Sequence, residues 1–446
     1  MSYLDLSIKE LHEALVKKEV TPLELVEEAL KRAHSNQDNA FEFIDDEGAK
    51  AFASSLKEPE ADNLLWGIPY VAKDNFSTEG IPTTASSNIL NGYVPVFDAT
   101  VIRKLKDSKA VMIAKATLDE LAMGGTGTTG HLGKTFNPYD PSHKREIGGS
   151  SCGSAVSVAA DIVPFALGSD TGDSVRKPAS YAGLVGMKPT WGRISRYGLF
   201  PFAQSSVRKY EPASALWLDK NHSLTNEELK KHFDRSLEKL KEQGIAVDFV
   251  KFGVKLLESL YATYMVISCA EATSNDANLD GIKFGEFKGG KTYQEVMFNA
   301  RNEGFSELIK RRFVIGSYCL MSENQEELFL RAQRNRAKIV ETVNSILKDY
   351  DFIYVPAAPN VAPTFDAASD RLSDEYLIVD NHLCLGNFAG LPSITLPLFF
   401  QDGLPIGINF MGRAFEEKKL FQIANAFEKL SGLKDVSVLN KKEGNL

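Results

Sequence analysis

The amino-acid sequence predicts an α/β fold, a β-sheet covered by helices on both faces. Three observations carry that reading. Short apolar runs of strand length alternate with stretches of helical periodicity along most of the chain. The composition, 43% hydrophobic and 25% charged over 446 residues, is that of a globular protein able to bury a sizeable core. No internal repeat or low-complexity linker divides the chain, so a single domain over residues 1–446 is expected, although ~150 residues per domain would suggest three.

The elements follow in order. Residues 1–60 read as a helical region. Ser7-Ile8-Lys9-Glu10 is a capping box, with Leu6 and Leu11 placed to staple its outside. Thr21-Pro22-Leu23-Glu24 repeats the device with proline at the first helical position, and Leu25, Val26, Ala29 and Leu30 then recur at helical spacing. Residues 66–200 turn to α/β texture. A strand-like run at 68–72 ends at Lys73-Asp74-Asn75, a helix is expected at 100–106 and a strand at 111–114, and residues 121–154 are rich in Gly, Ser and Thr. Thr225-Asn226-Glu227-Glu228 reads as another capping box, opening a helix with Leu229, Phe233, Leu237 and Leu240 on one face and Gly244 at its C-terminal cap. Strands are expected at 246–250, 352–355, 393–398 and 406–410, and a closing helix at 418–430.

Charge and cysteine usage exclude several classes of function. With 51 Lys+Arg against 59 Asp+Glu and a net charge of −8, the chain is not built to grip nucleic acid. Its four cysteines, Cys152, Cys269, Cys319 and Cys384, lie far apart with no C-x-x-C, which excludes a zinc ribbon and a disulfide framework and points to a reducing compartment. Met1-Ser2-Tyr3-Leu4-Asp5 lacks the basic and apolar regions of a secretory signal. No stretch approaches ~18 apolar residues, the longest, 155–167, being broken by Asp161 and Pro164. A soluble intracellular chain is expected.

The chemistry lies in Gly148-Gly149-Ser150-Ser151-Cys152-Gly153-Ser154, which leads into a helix of small residues whose first amides face whatever sits over the serines. Further on comes Ser174, inside Gly168-Ser169-Asp170-Thr171-Gly172-Asp173-Ser174-Val175-Arg176. Taken alone, a glycine-serine loop reads as a flexible turn, and Lys73 as a solvated lysine at a strand end. Residues 127–135 end like a P-loop at Gly133-Lys134-Thr135, but Thr128 stands where that motif needs glycine and no strand runs into it, so ATP binding is not expected there. His131 and His143 lack a G-x-S-x-G context, which leaves lysine as the candidate base.

Lys73, the Gly-Gly-Ser-Ser run and the Ser-Asp-Thr-Gly-x-Ser-Val-Arg segment jointly resemble the amidase signature family, whose catalytic unit is a Ser-cis-Ser-Lys triad. The resemblance runs over nearly the whole chain and is strongest to the glutamine-hydrolysing A-type subunits of tRNA-dependent amidotransferases. It is carried by Asp5-Leu6-Ser7-Ile8-Lys9-Glu10-Leu11, by Gly67-Ile68-Pro69 through Lys73-Asp74-Asn75, and by Gly186-Met187-Lys188-Pro189-Thr190-Trp191-Gly192-Arg193-Ile194-Ser195-Arg196-Tyr197-Gly198-Leu199. Ala389-Gly390-Leu391-Pro392 and Leu404-Pro405-Ile406-Gly407-Ile408 add to it.

The resemblance implies an amidase signature fold with a central mixed β-sheet. It implies a glutaminase that releases ammonia for amidation of Glu-tRNA(Gln) or Asp-tRNA(Asn), with Ser174 as nucleophile, Ser150 as bridging cis-serine and Lys73 as general base. The backbone amides of Thr171, Gly172 and Asp173, with that of Ser174, would form the oxyanion hole. Arg312 and Asp380 would hold the α-carboxylate and α-ammonium of glutamine, with Met123, Gly124 and Ser151 also lining the substrate. The chain itself is expected to bind no metal or cofactor. ATP and Mg2+ are expected on a larger B subunit, which also binds the tRNA, and a small C subunit completes a heterotrimer in the cytoplasm or an organellar matrix, without a membrane. A stand-alone amidase acting on a small or acyl amide is the alternative, and a catalytically silent scaffold a third reading.

Two departures from the family pattern bear on these expectations. Asp173 stands where the family commonly has glycine, and its side chain is expected to point away from the oxyanion, toward Arg176 or Lys177. Cys152 also replaces a glycine and reads as small packing. After Phe202-Ala203-Gln204-Ser205-Ser206 the resembled subunits continue through a helical segment and a strand, whereas this chain passes directly to Val207-Arg208-Lys209.

Overall fold

A computed structural model describes residues 2–203, 226–367 and 381–440. The expected mixed sheet is realised as two four-stranded ladders. The first holds β1 (Phe41–Ile44), β2 (Pro69–Lys73), β3 (Val111–Ala116) and β4 (Phe165–Leu167) in the order β1-β3-β2-β4. Here β2 runs parallel to both β3 and β4, while β1 is antiparallel to β3. The second holds β5 (Gly186–Lys188), β6 (Phe352–Pro356), β7 (Ser393–Gln401) and β8 (Leu404–Gly412) in the order β5-β7-β8-β6, all antiparallel. Gln401 pairs with Leu404 across Asp402-Gly403, both at positive φ, the two-residue turn whose twist suits a hairpin.

Helices cover both faces of the first ladder. Capping boxes of Ser7 with Glu10 and Thr21 with Glu24 open α1 (Ile8–Val16) and α2 (Pro22–Ser35), as their sequences predict. With α3 (Asp46–Ser55) they bury Leu11, Leu15, Leu25, Val26 and Leu30 against Val71, Val111 and Ile113. On the other face α4 (Thr100–Asp107) packs Ile102 and Leu105 on Tyr70, Ala72 and Met112. Alternation of Tyr70, Val71 and Ala72 between the two clusters is the period-two signature of a strand buried on both sides.

Two further helices connect the ladders: α5 (Cys152–Ala159), which follows the serine run, and α6 (Arg176–Tyr181). The second ladder is then covered by α7 (Glu227–Glu242) on one face, where Leu229, Phe233, Leu237 and Leu240 meet Ile394, Ile408 and Phe410. Residues 254–346 supply α8 (Val254–Glu258), α9 (Leu260–Asn275), α10 (Tyr293–Gly304), α11 (Glu307–Leu320) and α12 (Arg331–Ile346). Ile339 and Val343 of α12 and Leu385 and Phe388 of α13 (Cys384–Phe388) cover the opposite face at Ile353, Val355 and Met411. The closing helix α14 (Glu417–Ser431) packs beside α7 and ends at Gly432, whose φ of 71° is the left-handed cap that glycine supplies.

Three expectations change. The region 1–60, read as helical, also holds the strand β1 at Phe41–Ile44, which pairs with β3. Asn226, not Thr225, caps α7, its side chain accepting from the Leu229 amide; Thr225 lies outside the described residues. Residues 246–250 form no strand, and only Val250 makes an isolated bridge. Ile245 and Val247 are half-buried against the second ladder's core, so the apolar side chains are satisfied by packing without a backbone ladder.

This topology positions the chemistry. Because β2, β3 and β4 are parallel, Lys73, the loop after Ala116 and the loop after Leu167 leave the ladder at the same carboxyl end, where open α/β sheets place their sites.

Candidate active site

Lys73 is the last residue of β2 and is fully buried. Its ammonium nitrogen lies 2.8 Å from Ser150 Oγ, 3.0 Å from Ser151 Oγ and 2.9 Å from Ser169 Oγ. Burial lowers its pKa to about 7, against the opposing pull of Cys152, Asp119 and Asp170. A substantial fraction is therefore neutral at physiological pH, the form in which a lysine can accept a proton. The solvated strand-end lysine that the residue suggests in isolation is excluded by this burial.

Two features bring the serine run to Lys73. The Gly149–Ser150 peptide is cis. Only glycine fits at 149, since a Cβ there would lie 2.0 Å from Asp119 Oδ2. The Asp119 amide donates to Ser150 O at 3.2 Å and the Ser151 amide donates to Ser174 O at 3.1 Å, so the run is pinned between two loops. Ser174 is 5% exposed and, among the described residues, its Oγ has no hydrogen-bond partner. The Lys73–Ser150 half of the expected relay is thus formed and the Ser150–Ser174 half is open, as catalytic contacts in unliganded sites often are.

The 168–175 loop is shaped by a buried ion pair. Arg176 Nε and Nη2 donate to Asp170 Oδ2 and Oδ1 at 3.0 and 2.9 Å, and Asn387 Nδ2 donates to Oδ1 at 2.8 Å. Burial pushes the Asp170 carboxyl up, but the Arg176 charge and these bonds hold it well below the usual carboxylate range. Arg176 also donates to Gly172 O at 2.7 Å and to Leu383 O at 2.9 Å, tying the loop to the second ladder's side. The amides of Thr171 and Gly172 donate to no group among the described residues. Asp173 turns aside as expected, its Oδ2 2.8 Å from Lys177 Nζ.

The expected substrate residues divide. Ser151 is committed to Lys73 and Ser169, Met123 is fully buried, and Gly124 packs so closely on Asp119 that a Cβ would lie 2.3 Å from its Cγ. Arg312, on α11, is half-buried with its guanidinium 5.8 Å from the Phe202 ring, and it makes no ion pair among the described residues. Phe202, Asn75, residues 168–171 and Lys188 line a cavity of about 210 Å³, so Arg312 stands one ring away from that space. Asp380 lies outside the described residues.

Several participants carry no signal of their own in the sequence. Ser169 Oγ is shared by Lys73 and by Asn75 Nδ2, the latter at 3.0 Å. Asp119 accepts from the Thr126, Gly127, Thr128 and Thr129 amides and the Thr129 hydroxyl at 2.8–3.2 Å. The amides of residues 127–129, which open the P-loop-like stretch, are thus turned inward, unavailable to a phosphate. Asp74 and Lys115 form a fully buried pair at 2.9 Å, for which the one sequence clue is a lysine inside the apolar strand Val-Met-Ile-Ala-Lys-Ala. His131 pairs with Glu42 at 2.8 Å and His143 with Asp38 at 3.2 Å, which accounts for both histidines structurally. Cys152 is buried, and burial pushes its thiol up to about 11, so it packs and does not act as a thiolate. No helix among the described residues is long and apolar enough to cross a membrane.

Known proteins carry the same pattern. The family model described as Amidase matches residues 24–209 and 212–421, its break falling where the sequence is short after Ser206. The chain is 37% identical over 476 residues to the A subunit of glutamyl-tRNA(Gln) amidotransferase from Listeria monocytogenes serotype 4b, covering 96% of this chain and 98% of that protein. Among solved structures, the A subunit of glutamyl-tRNA(Gln) amidotransferase from Thermotoga maritima superposes with a TM-score of 0.76 at 33% identity, over 96% of this chain and 95% of that one. A crystal structure of an amidase superposes with a TM-score of 0.79 at 27% identity, over 95% of this chain and 99% of that one. Agreement of this length, in sequence and in fold, places the chain in the amidase family.

Proposed function

We propose that this chain is the glutamine-hydrolysing subunit of a tRNA-dependent amidotransferase, a carbon–nitrogen ligase that uses glutamine as amide donor. The observation that carries the reading is the fully buried Lys73 held 2.8 Å from Ser150 Oγ, beside a Ser174 whose hydroxyl is uncommitted among the described residues. Near-full-length similarity to the A subunits of glutamyl-tRNA(Gln) amidotransferases favours glutamine over a simple amide.

In the reaction, Ser174 Oγ bonds to the amide carbon while its proton passes to Ser150 and that of Ser150 to neutral Lys73. The carbonyl oxygen, now anionic, is received by the amides of Thr171 and Gly172, a stabilisation typically worth several kcal/mol. Lys73 returns the proton through Ser150 to the leaving nitrogen, the C–N bond breaks and ammonia departs. Water, activated by the same relay, then releases glutamate and restores Ser174. Arg312 suits the α-carboxylate through its planar donors, and Asp380 is assigned the α-ammonium.

The reading places ATP, Mg2+ and tRNA on partner subunits, B for the nucleotide and tRNA and C at the interface. Exposed apolar side chains on α10 and α11, among them Phe298, Val314 and Tyr318, fit a chain that works in an assembly. The test measures ammonia release from glutamine by the chain alone and with partners and charged tRNA. Weak release that rises on assembly is expected; equal turnover of simple aliphatic amides by the chain alone would favour a stand-alone amidase.

A further inference from the structure

We infer that Asp119 is a positioning residue for this reaction, the buried counter-charge that balances Lys73 when the lysine takes up the transferred proton. The inference rests on the function proposed above and assigns a group that touches neither substrate nor reacting atoms.

The acidic groups around Lys73 are balanced in different ways. From β2 itself comes Asp74, neutralised by Lys115 of β3 at 2.9 Å. From the loop after β4 comes Asp170, neutralised by Arg176 at 2.9 Å. From α5 comes Cys152, whose buried thiol keeps its proton. Asp119, from the loop after β3, is different. It is fully buried, and its two oxygens accept from four consecutive amides and one hydroxyl, with no cation in contact among the described residues. Five neutral donors solvate a carboxylate without cancelling its charge.

Its placement gives that charge a use. The Asp119 backbone amide holds Ser150 O, its side chain fills the space a Gly149 Cβ would need, and Ser150 Oγ is the partner of Lys73. A carboxylate touching Lys73 would fix it as an ammonium ion and remove the base. A carboxylate near Lys73 but out of hydrogen-bond contact with it, as Asp119 is, leaves the resting lysine able to lose its proton. It then favours the ammonium as the Ser174–carbon bond forms and the proton arrives, a preorganised field that needs no rearrangement.

The test reads the titration of the base without depending on substrate identity. A fluorophosphonate probe reacts with an activated serine, forming a Ser174 Oγ–P bond and releasing fluoride, and its rate is followed against pH in the full-length chain. Wild type should label at Ser174 with a rate that rises through a midpoint near pH 7. Asp119→Asn should move that midpoint down by roughly one unit and lower the plateau rate roughly threefold to tenfold. Thr129→Ala keeps the carboxylate but removes one of its donors, so its midpoint should move up by roughly a few tenths of a unit. A folded Asp119→Asn with an unmoved midpoint overturns the inference, as does a downward shift in Thr129→Ala. Should Asp119→Asn fail to fold, Thr129→Ala decides alone: a rise supports the inference, and no movement or a fall overturns it. Absence of labelling at Ser174 in wild type would instead remove the proposed function, and this inference with it.

Discussion

Lys73 Nζ lies 2.8 Å from Ser150 Oγ, with both residues fully buried at the carboxyl end of a parallel strand. The proposed reaction uses this lysine as a base because it is costly to charge, and this cost has consequences for both rate and stability.

For rate, the lysine must be neutral to accept a proton, and its pKa is about 7. We expect kcat/KM for glutamine to rise with pH through a limb centred near 7 and to lose that limb in Lys73→Met, with activity falling roughly 10²–10⁴-fold. A pH–rate profile flat between 6 and 8 would exclude Lys73 as the base.

For stability, the sign is opposite to that of a lysine in an ion pair. The folded pKa of about 7 lies below the ordinary value of 10.5, so between those values the unfolded chain binds the extra proton and stability rises with pH. Lys73→Met should therefore stabilise the fold although it destroys activity, by roughly 4 kcal/mol at pH 7, the gain shrinking as pH approaches 10.5. Thermal unfolding of both proteins at pH 7 and pH 9.5 measures it, and a Tm for Lys73→Met below that of wild type at pH 7 would contradict it.

Asp74 and Lys115, directly beside the base, predict a different behaviour. Each is buried with the other as its counter-charge, so Lys115→Met alone should cost about 3–5 kcal/mol by stranding Asp74. The double variant Asp74→Asn with Lys115→Met should recover much of that loss in chemical denaturation.

Asp173 is paired with Lys177, and the proposed reaction gives its carboxylate no part. Asp173→Gly should keep or raise glutaminase activity, within about threefold of wild type by the modest worth of a partly exposed pair. A collapse of kcat would make Asp173 a functional group.

Arg312 should separate substrates. Arg312→Ala should raise KM for glutamine roughly tenfold to a hundredfold, the worth of a charge-assisted pair, while leaving simple aliphatic amides nearly unaffected. Equal losses on both would place Arg312 in the fold and not in recognition.

Much of this is legible in the sequence because it is written in local chemistry. The capping boxes at Ser7 and Thr21, the short apolar runs of β2 and β8 and the left-handed Gly244 each depend on neighbours within a few residues. The serine run and Lys73 are legible only jointly, since neither carries a signal by itself. What stays hidden depends on distant pairing. Asp119 reads as an ordinary polar residue until four amides from the next turn close on it, and Ser169 until Asn75 and Lys73 converge there. Residues 246–250 mislead because a short apolar run after a helix fits a strand and a packed loop equally.

Division of labour between two sites is the central claim: ammonia is made at Ser174 and used elsewhere. The most direct measurement is amidation of misacylated tRNA by the assembled enzyme carrying Ser174→Ala, with glutamine or with ammonium salts as nitrogen source. Glutamine-dependent amidation should be lost while ammonium-dependent amidation continues near the wild-type rate. Retention of glutamine-dependent amidation, or loss of both, would contradict the claim.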